Sequence, residues 1–577
     1  MIVFVLDRTV VRPSPVNDKP LNSDLHPVLR RIIALRPCQY TDYVLNDLLR
    51  PDTLHGLSGV VARLMRARDE QSSICVIGDY DCDGATATAV AVRGLKLMGF
   101  HQVDYLIPNR FESGYGLSVS IVQQALALSS KPTILLTVDN GISSVDGVAY
   151  AKKHALDVIV TDHHLPGKHL PDTPYIVNPQ LENDKFQSKA ICGVGVIFYV
   201  LLALRRTLIQ AKLLTENIQM IPLLDLVTLG TVADCVPLDQ NNRILIHHGL
   251  SRMRRDLVSP GIRALCRVGK VVLSQMSSVD LAFRVAPKLN AAGRMDDMSI
   301  GVRCLLSDDD TEATRLAEQL AGFNAERTRV QDTMLQQALQ QVDAKSLRVQ
   351  QVIILYHKDW HQGVIGILAS KIKERFHKPC IIFADDNDVD IKGSARSISG
   401  IHMRDLLDHV ASSTSLIDKF GGHSMAAGLS IKRDNLSLFT NAINTCVTTV
   451  PASFFVPTIT TDGPLAAHEI SIDTADAIQS YGIWGHSYPE PIFDNVMIVL
   501  QKRVLKDKHL KLILKYQSVT YEAMWFFCSD QIMSMLQLNV RYRFFYKLSI
   551  NSYLGERKLN MLVEYAVVAT ECEVVEV

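Results

Sequence analysis

The sequence predicts an α/β protein: a parallel-sheet domain, a long connecting helix, a second α/β domain and a small C-terminal β-barrel. Three observations carry this expectation. Short β-rich runs alternate with helix-like segments from Ser73 to Asp234. One long stretch after Ser307 keeps a helical apolar stripe. The last part of the chain changes to period-two alternation with a basic, aromatic face. With 577 residues the chain is too long for one core, so several domains are expected.

The first domain rests on the runs "ICVIG", "VDYLIP", "TILLTV" and "DVIVT", which are apolar throughout. Such strands, separated by helical segments such as "ATATAVAVRGLKLM" and "SVSIVQQALAL", imply a parallel sheet covered on both faces. Ligands of such sheets bind beyond the carboxyl ends of the strands. The run "ICGVGVIFYVLLAL" stops at Arg205 and Arg206, short of the roughly 20 residues a bilayer needs, and reads as a buried helix. In the connecting stretch, Leu316, Leu320, Phe323, Val330, Met334 and Ala338 form the stripe. Ser307 and the aspartates after it suit the helix N-terminus, and Gly322 is a weak point. At 1.5 Å per residue this helix would span about 50 Å. The second α/β unit follows from "VIILY", "GVIGILASKIKERF", "CIIFAD" and "HMRDLLDHV", then a glycine-rich "KFGGHSMAAGLSI". In the last module "DKHLKLILK" sets Leu510, Leu512 and Leu514 against Lys508, Lys511 and Lys515, and "VRYRFFYKLSINSYLGERKLNMLVEY" alternates across a turn near Gly555.

Composition excludes several classes. Lys plus Arg and Asp plus Glu are both 60, so any nucleic-acid site is a local patch. The 11 cysteines include no C-x-x-C pair, which argues against a zinc ribbon and a disulfide scaffold and for reduced thiols in the cytoplasm. The N-terminal "MIVFVLDRTVVRPSP" lacks the basic region and the apolar length of a secretory signal. No G-x-G-x-x-G follows the first strand, which counts against a dinucleotide-binding enzyme.

Acids gather at the ends of the apolar runs. Asp79, Asp81 and Asp83 follow the first, Asp139 another, and Asp162 with His163 and His164 a third; Asp234 follows an apolar segment. Singly, each is as well explained as a helix cap or turn residue. If the runs are parallel strands of one sheet, the acids and histidines share one rim. Such a set of oxygen ligands with one or two imidazoles suits Mn²⁺ or Mg²⁺ better than Zn²⁺.

The segments "GDYDCDG", "VDNG", "TDHH" and "GTVADCVPL" resemble the four motifs of the DHH phosphoesterase superfamily. "PNRFESGYGLS", "KLNAAGRMDD", "WHQGVIGI", "GSARSI" and "FGGHSMAAG" are similar to further blocks of its single-strand-specific DNA exonuclease branch. Cys82 and Ala395 depart mildly from the common forms of two blocks. The resemblance implies an N-terminal segment (1–45), a DHH catalytic domain (46–305), the long helix (306–345), a DHHA1-like substrate-binding domain (346–450) and an OB-like single-strand-binding barrel (451–577).

It implies a metal-dependent 5′-to-3′ exonuclease that releases 5′ mononucleotides from single-stranded DNA in recombination and repair. Two divalent ions, Mn²⁺ or Mg²⁺, would be held by Asp79, Asp81, Asp83, Asp139, His163 and Asp234. His164 would act by the phosphate as donor or proton carrier, and Asp162 would orient an imidazole. The sequence by itself does not rank the two histidines. Arg294, Ser394 and Arg396 match positions that hold a 5′ phosphate, Arg110 would contact the strand near the metals, and Gly421, Gly422 and His423 belong to the substrate-holding domain. On the barrel, Lys508, His509, Lys511, Arg543, Phe545 and Tyr546 are candidate contacts to the strand, some of whose rings must instead be core. The implied partners are single-stranded DNA with a free 5′ end, a single-strand-binding protein and a DNA helicase, for a monomer without a membrane anchor. Another DHH hydrolase, such as an oligoribonuclease or cyclic-dinucleotide phosphodiesterase, and a catalytically dead replication scaffold are the competing readings. The added basic module counts against the first, and the filled acid positions against the second.

Overall fold

In the computed structural model, residues 8–15, 24–36, 42–110, 114–342, 350–506, 508–528, 530–551, 556–569 and 574–576 are described. The chain enters through a short strand, β1 (Thr9–Arg12), whose partners arrive only at its far end. The catalytic-type sheet comes next. Strands β2 (Ile74–Ile77), β3 (Val103–Leu106), β4 (Ile134–Val138), β5 (Asp157–Thr161) and β6 (Tyr175–Val177) are all parallel, in the order β3-β2-β4-β5-β6. Their apolar runs serve two cores at once, because successive side chains point to opposite faces. Ile74, Val76, Ile134 and Leu136 enter the main core beneath the Cys82–Leu97 helix. Cys75, Ile77, Leu135 and Val158 enter a second core with Ile121 and Val148.

The Gly193–Gln210 helix has a mean hydropathy of 1.5 and passes the length and composition test for a membrane span. It is instead a buried core helix, packed on the Leu57–Asp69, Cys82–Leu97 and Leu224–Ala233 helices.

The long helix runs unbroken from Asp310 to Gln341, 32 residues, through Gly322. Its N-cap is Asp309, one of the aspartates after Ser307, which accepts from the Glu312 N–H. Ala313, Leu316, Ala317 and Leu320 bury in the first domain, whereas Met334 and Ala338 bury with Trp360 and Leu368 of the second. The helix therefore has a footing in both cores.

The second domain is a mixed sheet of β7 (Ile353–Tyr356), β8 (Cys380–Asp385), β9 (Asp390–Arg396), β10 (Lys419–Gly422) and β11 (Ala426–Lys432), ordered β10-β11-β9-β8-β7. Helices Met403–Ser413 and Leu436–Val447 cover one face of it. The Ile365–Phe376 helix covers the β7 and β8 part of the other face. Alternate residues of β9, β10 and β11 on that other face stay open.

Strand β12 (Thr458–Thr460) pairs with β1, which also pairs with β18 (Val574–Glu576), so both chain ends meet in one small parallel sheet. Between them, β13 (Phe493–Leu505), β14 (His509–Tyr516), β15 (Val519–Trp525), β16 (Arg541–Asn551) and β17 (Lys558–Val568) close a barrel. Along β14 the expected alternation holds, with Leu510, Leu512 and Leu514 fully buried. The turn near Gly555 lies outside the described residues.

Along β16 the alternation of burial breaks. Phe544, Phe545 and Tyr546 are all 0% exposed, so Phe545 and Tyr546 are core residues and not strand contacts. The side chains still alternate in direction, since the extra residue of the register shift is Glu564 on β17: Tyr542, Phe544, Tyr546 and Leu548 face the barrel core and Phe545 faces outward. The small parallel sheet then covers the outer ring, packing Phe545 against Val10, Ile459 and Tyr565. The Tyr546 hydroxyl donates to Asn495 Oδ1 at 2.8 Å inside the barrel.

Candidate metal centre and adjoining cleft

The acids are delivered by elements of different kinds. Asp79 follows β2 after Gly78. Asp81 caps the Cys82–Leu97 helix, accepting from the Gly84 N–H at 3.0 Å. Asp83, in the first turn, accepts from the N–H groups of Gly193 (2.7 Å) and Val194 (2.9 Å). Its charge thereby sits on the positive end of the apolar core helix. Asp139, after β4, adopts φ 62°, a left-handed conformation that Asp tolerates better than most residues. Gly193 makes room for it: a Cβ there would lie 2.4 Å from the Asp139 side chain.

Asp234 corrects the expectation of a strand end. It is the C-cap of the Leu224–Ala233 helix, where the helix dipole disfavours a carboxylate. The rim is thus three strand ends and one helix end.

These groups converge. His163 Nε2 lies 3.1 Å from Asp139, 3.6 Å from Asp234 and 3.9 Å from Asp83. Asp79, Asp81 and Asp139 form an overlapping group with donor atoms all within 4.8 Å of one another. Asp79 Oδ1, Asp139 Oδ1 and His163 Nε2 are buried and have no hydrogen-bond partner. Burial and mutual repulsion push Asp79, Asp139 and Asp234 well above the usual carboxylate range, and Asp83 up to about 7. Burial and the neighbouring His164 pull His163 down to about 3, leaving a neutral imidazole suited to ligation. Oxygen-rich, mutually repelling and with three buried donor atoms left without a hydrogen bond, the set fits divalent cations.

His164 and Asp162 stand beside this cluster. Asp162 is buried and anchors the turn, accepting from the N–H groups of Ile142, His163 and His164. Its Oδ1 also lies 2.7 Å from His164 Nδ1. Burial alone would lower the His164 pKa, but the bond and charge of Asp162 prevail and lift it to about 9. Asp162 thus orients His164, and His163 faces the acids.

A cleft of about 560 Å³ opens from this rim towards the second domain. Arg110 stacks 4.2 Å over the Tyr80 ring, and its Nε is buried without a partner. Arg294 donates to the Gly363 carbonyl at 3.2 Å, and Arg396 donates to Ser394 Oγ at 3.1 Å. Burial, then Arg110 and Arg396, depress Arg294 to about 10. The Ile365–Phe376 helix has no side-chain cap and starts beside them: a Cβ on Gly366 would lie 2.9 Å from both Arg396 Nη2 and Ser394 Oγ. Converging guanidinium groups beside the positive end of a helix dipole suit an anion. Gly421 and Gly422 lie on β10, and His423 follows, its pKa lowered by burial and then by the charge of His164.

Tyr80 and Tyr115, which sequence reasoning passed over, line the same cleft. Tyr115 places its hydroxyl 3.3 Å from His164 Nδ1 and donates to the Asp139 carbonyl. Both tyrosines sit inside the motif blocks, but nothing in their spacing distinguishes them from core rings.

The barrel candidates do not join this site. Arg543 is held by the buried Asp494 at 2.6 Å, together with Arg12, and is a structural ion pair rather than a free cation. Lys511 pairs with Glu522 at 2.8 Å. Lys508 lies 5.7 Å from the Phe527 ring centre, and His509 Nδ1 accepts from the Phe527 N–H. Phe526 and Phe527 are the exposed rings here, 50% and 77% accessible. They sit in the turn after β15, outside the alternation that directed attention to β16.

Comparison with known proteins agrees with this layout. Residues 73–231 match the DHH family N-terminal domain, 349–449 the DHHA1 domain and 461–565 the RecJ OB domain. The chain is 42% identical over 568 residues to the single-stranded-DNA-specific exonuclease RecJ of Haemophilus influenzae, covering 96% of this chain and 98% of that one. The Escherichia coli protein of the same name is 41% identical, covering 94% and 96%. The crystal structure of RecJ in complex with Mn²⁺ from Thermus thermophilus superposes with a TM-score of 0.78 at 27% identity, covering 98% of this chain and 80% of that one. A crystal structure of exonuclease RecJ bound to manganese gives 0.58 at 33% identity, covering 69% and 96%.

Proposed function

This chain belongs to the RecJ family, and from that premise we propose that it is a metal-dependent exonuclease. It digests single-stranded DNA from the 5′ end to 5′ mononucleotides in recombination and repair. One observation carries the reading: a cleft holding three arginines adjoins, through Tyr80 and Tyr115, a buried cluster of carboxylates and an imidazole. In that reading the cleft holds the terminal phosphate and the cluster the bond to be cut.

Asp79, Asp81, Asp83, Asp139, His163 and Asp234 would hold two divalent ions, Mn²⁺ or Mg²⁺. When bound, the ions supply Lewis acidity and an activated water. The chain's own residues do the rest. Arg294, Ser394 and Arg396 bind the 5′ phosphate, and the Ile365–Phe376 helix N-terminus adds its dipole. Arg110, braced on Tyr80, contacts the strand beside the rim. His164, held protonated by Asp162, donates to the phosphate or to the departing 3′ oxygen. Gly421, Gly422 and His423 hold the nucleotide from the second domain. Phe526 and Phe527 offer rings on which bases stack, with Lys508 for phosphates. We place the enzyme in the cytoplasm as a monomer, working with a single-strand-binding protein and a helicase that supply unpaired 5′ ends.

The test uses 5′- and 3′-labelled single-stranded and duplex oligonucleotides with Mn²⁺, Mg²⁺ or chelator. Mononucleotides should appear from the 5′ end of single strands only, and only with metal. Release from the 3′ end first, or digestion in chelator, would refute the reading.

A further inference from the structure

Resting on the exonuclease reading, we infer that the cleft carries a second anion subsite beyond the terminal-phosphate pocket, formed by Lys392, Lys419 and Ser430, which accepts 5′-triphosphorylated ends.

The antiparallel register of β9, β11 and β10 sets side chains in rows across the open face of the sheet. Arg396 pairs with Ala426, followed by His423, whose N–H donates to the Ala426 carbonyl. Ser394, Gly428 and Gly421 form the next row, and Lys392, Ser430 and Lys419 the one after. Rows on one face are two residues apart, about 7 Å. The first row lies on the rim side, because Arg396 abuts Gly366, Gly363 of the same turn abuts Arg294, and the helix of Arg294 abuts Tyr80, between Asp79 and Asp81. The third row is therefore the far end of the same cleft, which Lys392, Lys419 and Ser430 line.

The middle row is bare. A Cβ on Gly421 would meet nothing within 4 Å, and one on Gly428 only the Gly393 carbonyl at 4.0 Å. Neither glycine has a left-handed φ. Packing and backbone conformation thus leave both glycines unexplained, although glycine weakens a strand. Room for a ligand lying on the sheet explains them.

A terminal phosphate at Arg294, Ser394 and Arg396 fills the near end. Two further phosphates extend from it over the glycines to the lysine row. The lysines are compact charges on flexible stems, suited to mobile phosphates. Lys392 spans to Asp386 at 2.8 Å and keeps 49% of its side chain exposed, and Lys419 is exposed. The hydrolysis is the ordinary one. Water attacks the first internucleotide phosphorus, the P–O3′ bond breaks and the 3′ oxygen takes a proton. The released species is a nucleoside 5′-triphosphate, and the shortened strand carries a 5′ monophosphate.

The experiment gives the full chain, with Mn²⁺, one oligodeoxynucleotide carrying a 5′ hydroxyl, monophosphate or triphosphate, and separates the first products by ion-exchange chromatography. The triphosphorylated strand should release a nucleoside triphosphate, with a KM no higher than that of the monophosphorylated strand. In the K392A/K419A double variant that KM should rise about tenfold or more, the loss of a charge-assisted contact, while monophosphate kinetics stay within about twofold. Because both lysines are exposed, the melting temperature of the variant should match wild type, which the assay records alongside. Refusal of the triphosphorylated strand while the monophosphorylated one is digested overturns the subsite and leaves the exonuclease reading standing. So does an unchanged triphosphate KM in the double variant. Digestion of none of the three strands overturns the exonuclease reading itself.

Discussion

Asp139 concentrates the tension of the rim. It is buried among like charges, and its backbone is left-handed. Two unit charges about 4 Å apart repel by roughly 4 kcal/mol at an effective dielectric near 20. Asp139→Asn keeps a residue that tolerates this backbone and removes one charge. It should reduce single-strand digestion by at least about 100-fold and, in chelator, melt no lower than wild type. Wild-type digestion by this variant would refute the ligand assignment. Asp139→Ala should be equally inactive but slightly less stable than the Asn variant, since Ala resists positive φ. In the proposed function Arg396 serves the other end of the nucleotide. Arg396→Ala should raise KM for a 5′-phosphorylated strand about 10–100-fold, the value of a hydrogen bond to a charged group, and less for a 5′-hydroxyl strand. An equal effect on both ends would remove its role at the phosphate.

At the scale of elements, the connecting helix is the informative one. It carries Gly322 in its interior, where a Cβ would meet nothing within 4 Å. Gly322→Ala should raise unfolding free energy by about 0.5–1 kcal/mol without changing turnover, as seen by denaturant titration and strand digestion. A loss of turnover with a stabilised fold would show that the helix must flex at this point. The turn after β15 is the second element. Replacing Phe526 and Phe527 together by Ala should weaken binding of a long single strand by about 1–3 kcal/mol per lost stack and spare a trinucleotide. Long-strand binding unchanged from wild type in the variant, measured by fluorescence anisotropy, would exclude the turn from the strand path.

The whole molecule is tied by its ends. β1 joins β12 and β18, and Val10, 1% exposed, packs with Phe545, Ile459 and Tyr565 on the barrel wall. Arg12 shares the buried Asp494 with Arg543, and Arg36 pairs with Asp462. The N-terminal strand is thus part of the C-terminal module. Val10→Asp buries an unpaired carboxylate and should cost about 2–5 kcal/mol, lowering the melting transition of the barrel more than that of the catalytic domain. Equal protection of barrel amides in hydrogen exchange, before and after the change, would contradict this.

The periodicities of single segments determined the parallel sheet, the long helix and the inward leucines of β14, because each follows from local chemistry repeated along one stretch of chain. The acid motifs likewise marked the residues that the fold gathers on one rim, since each motif places its acids or histidines close behind an apolar run. Only the tertiary structure decided what depends on distant chain. Asp234 reaches the rim from a helix end, Tyr546 fills the barrel core while Phe545 faces outward and is covered by the N-terminal strand, and Arg543 is consumed by Asp494. Burial and ion pairing are set by whichever segment happens to pack alongside, and no single stretch of sequence carries that information.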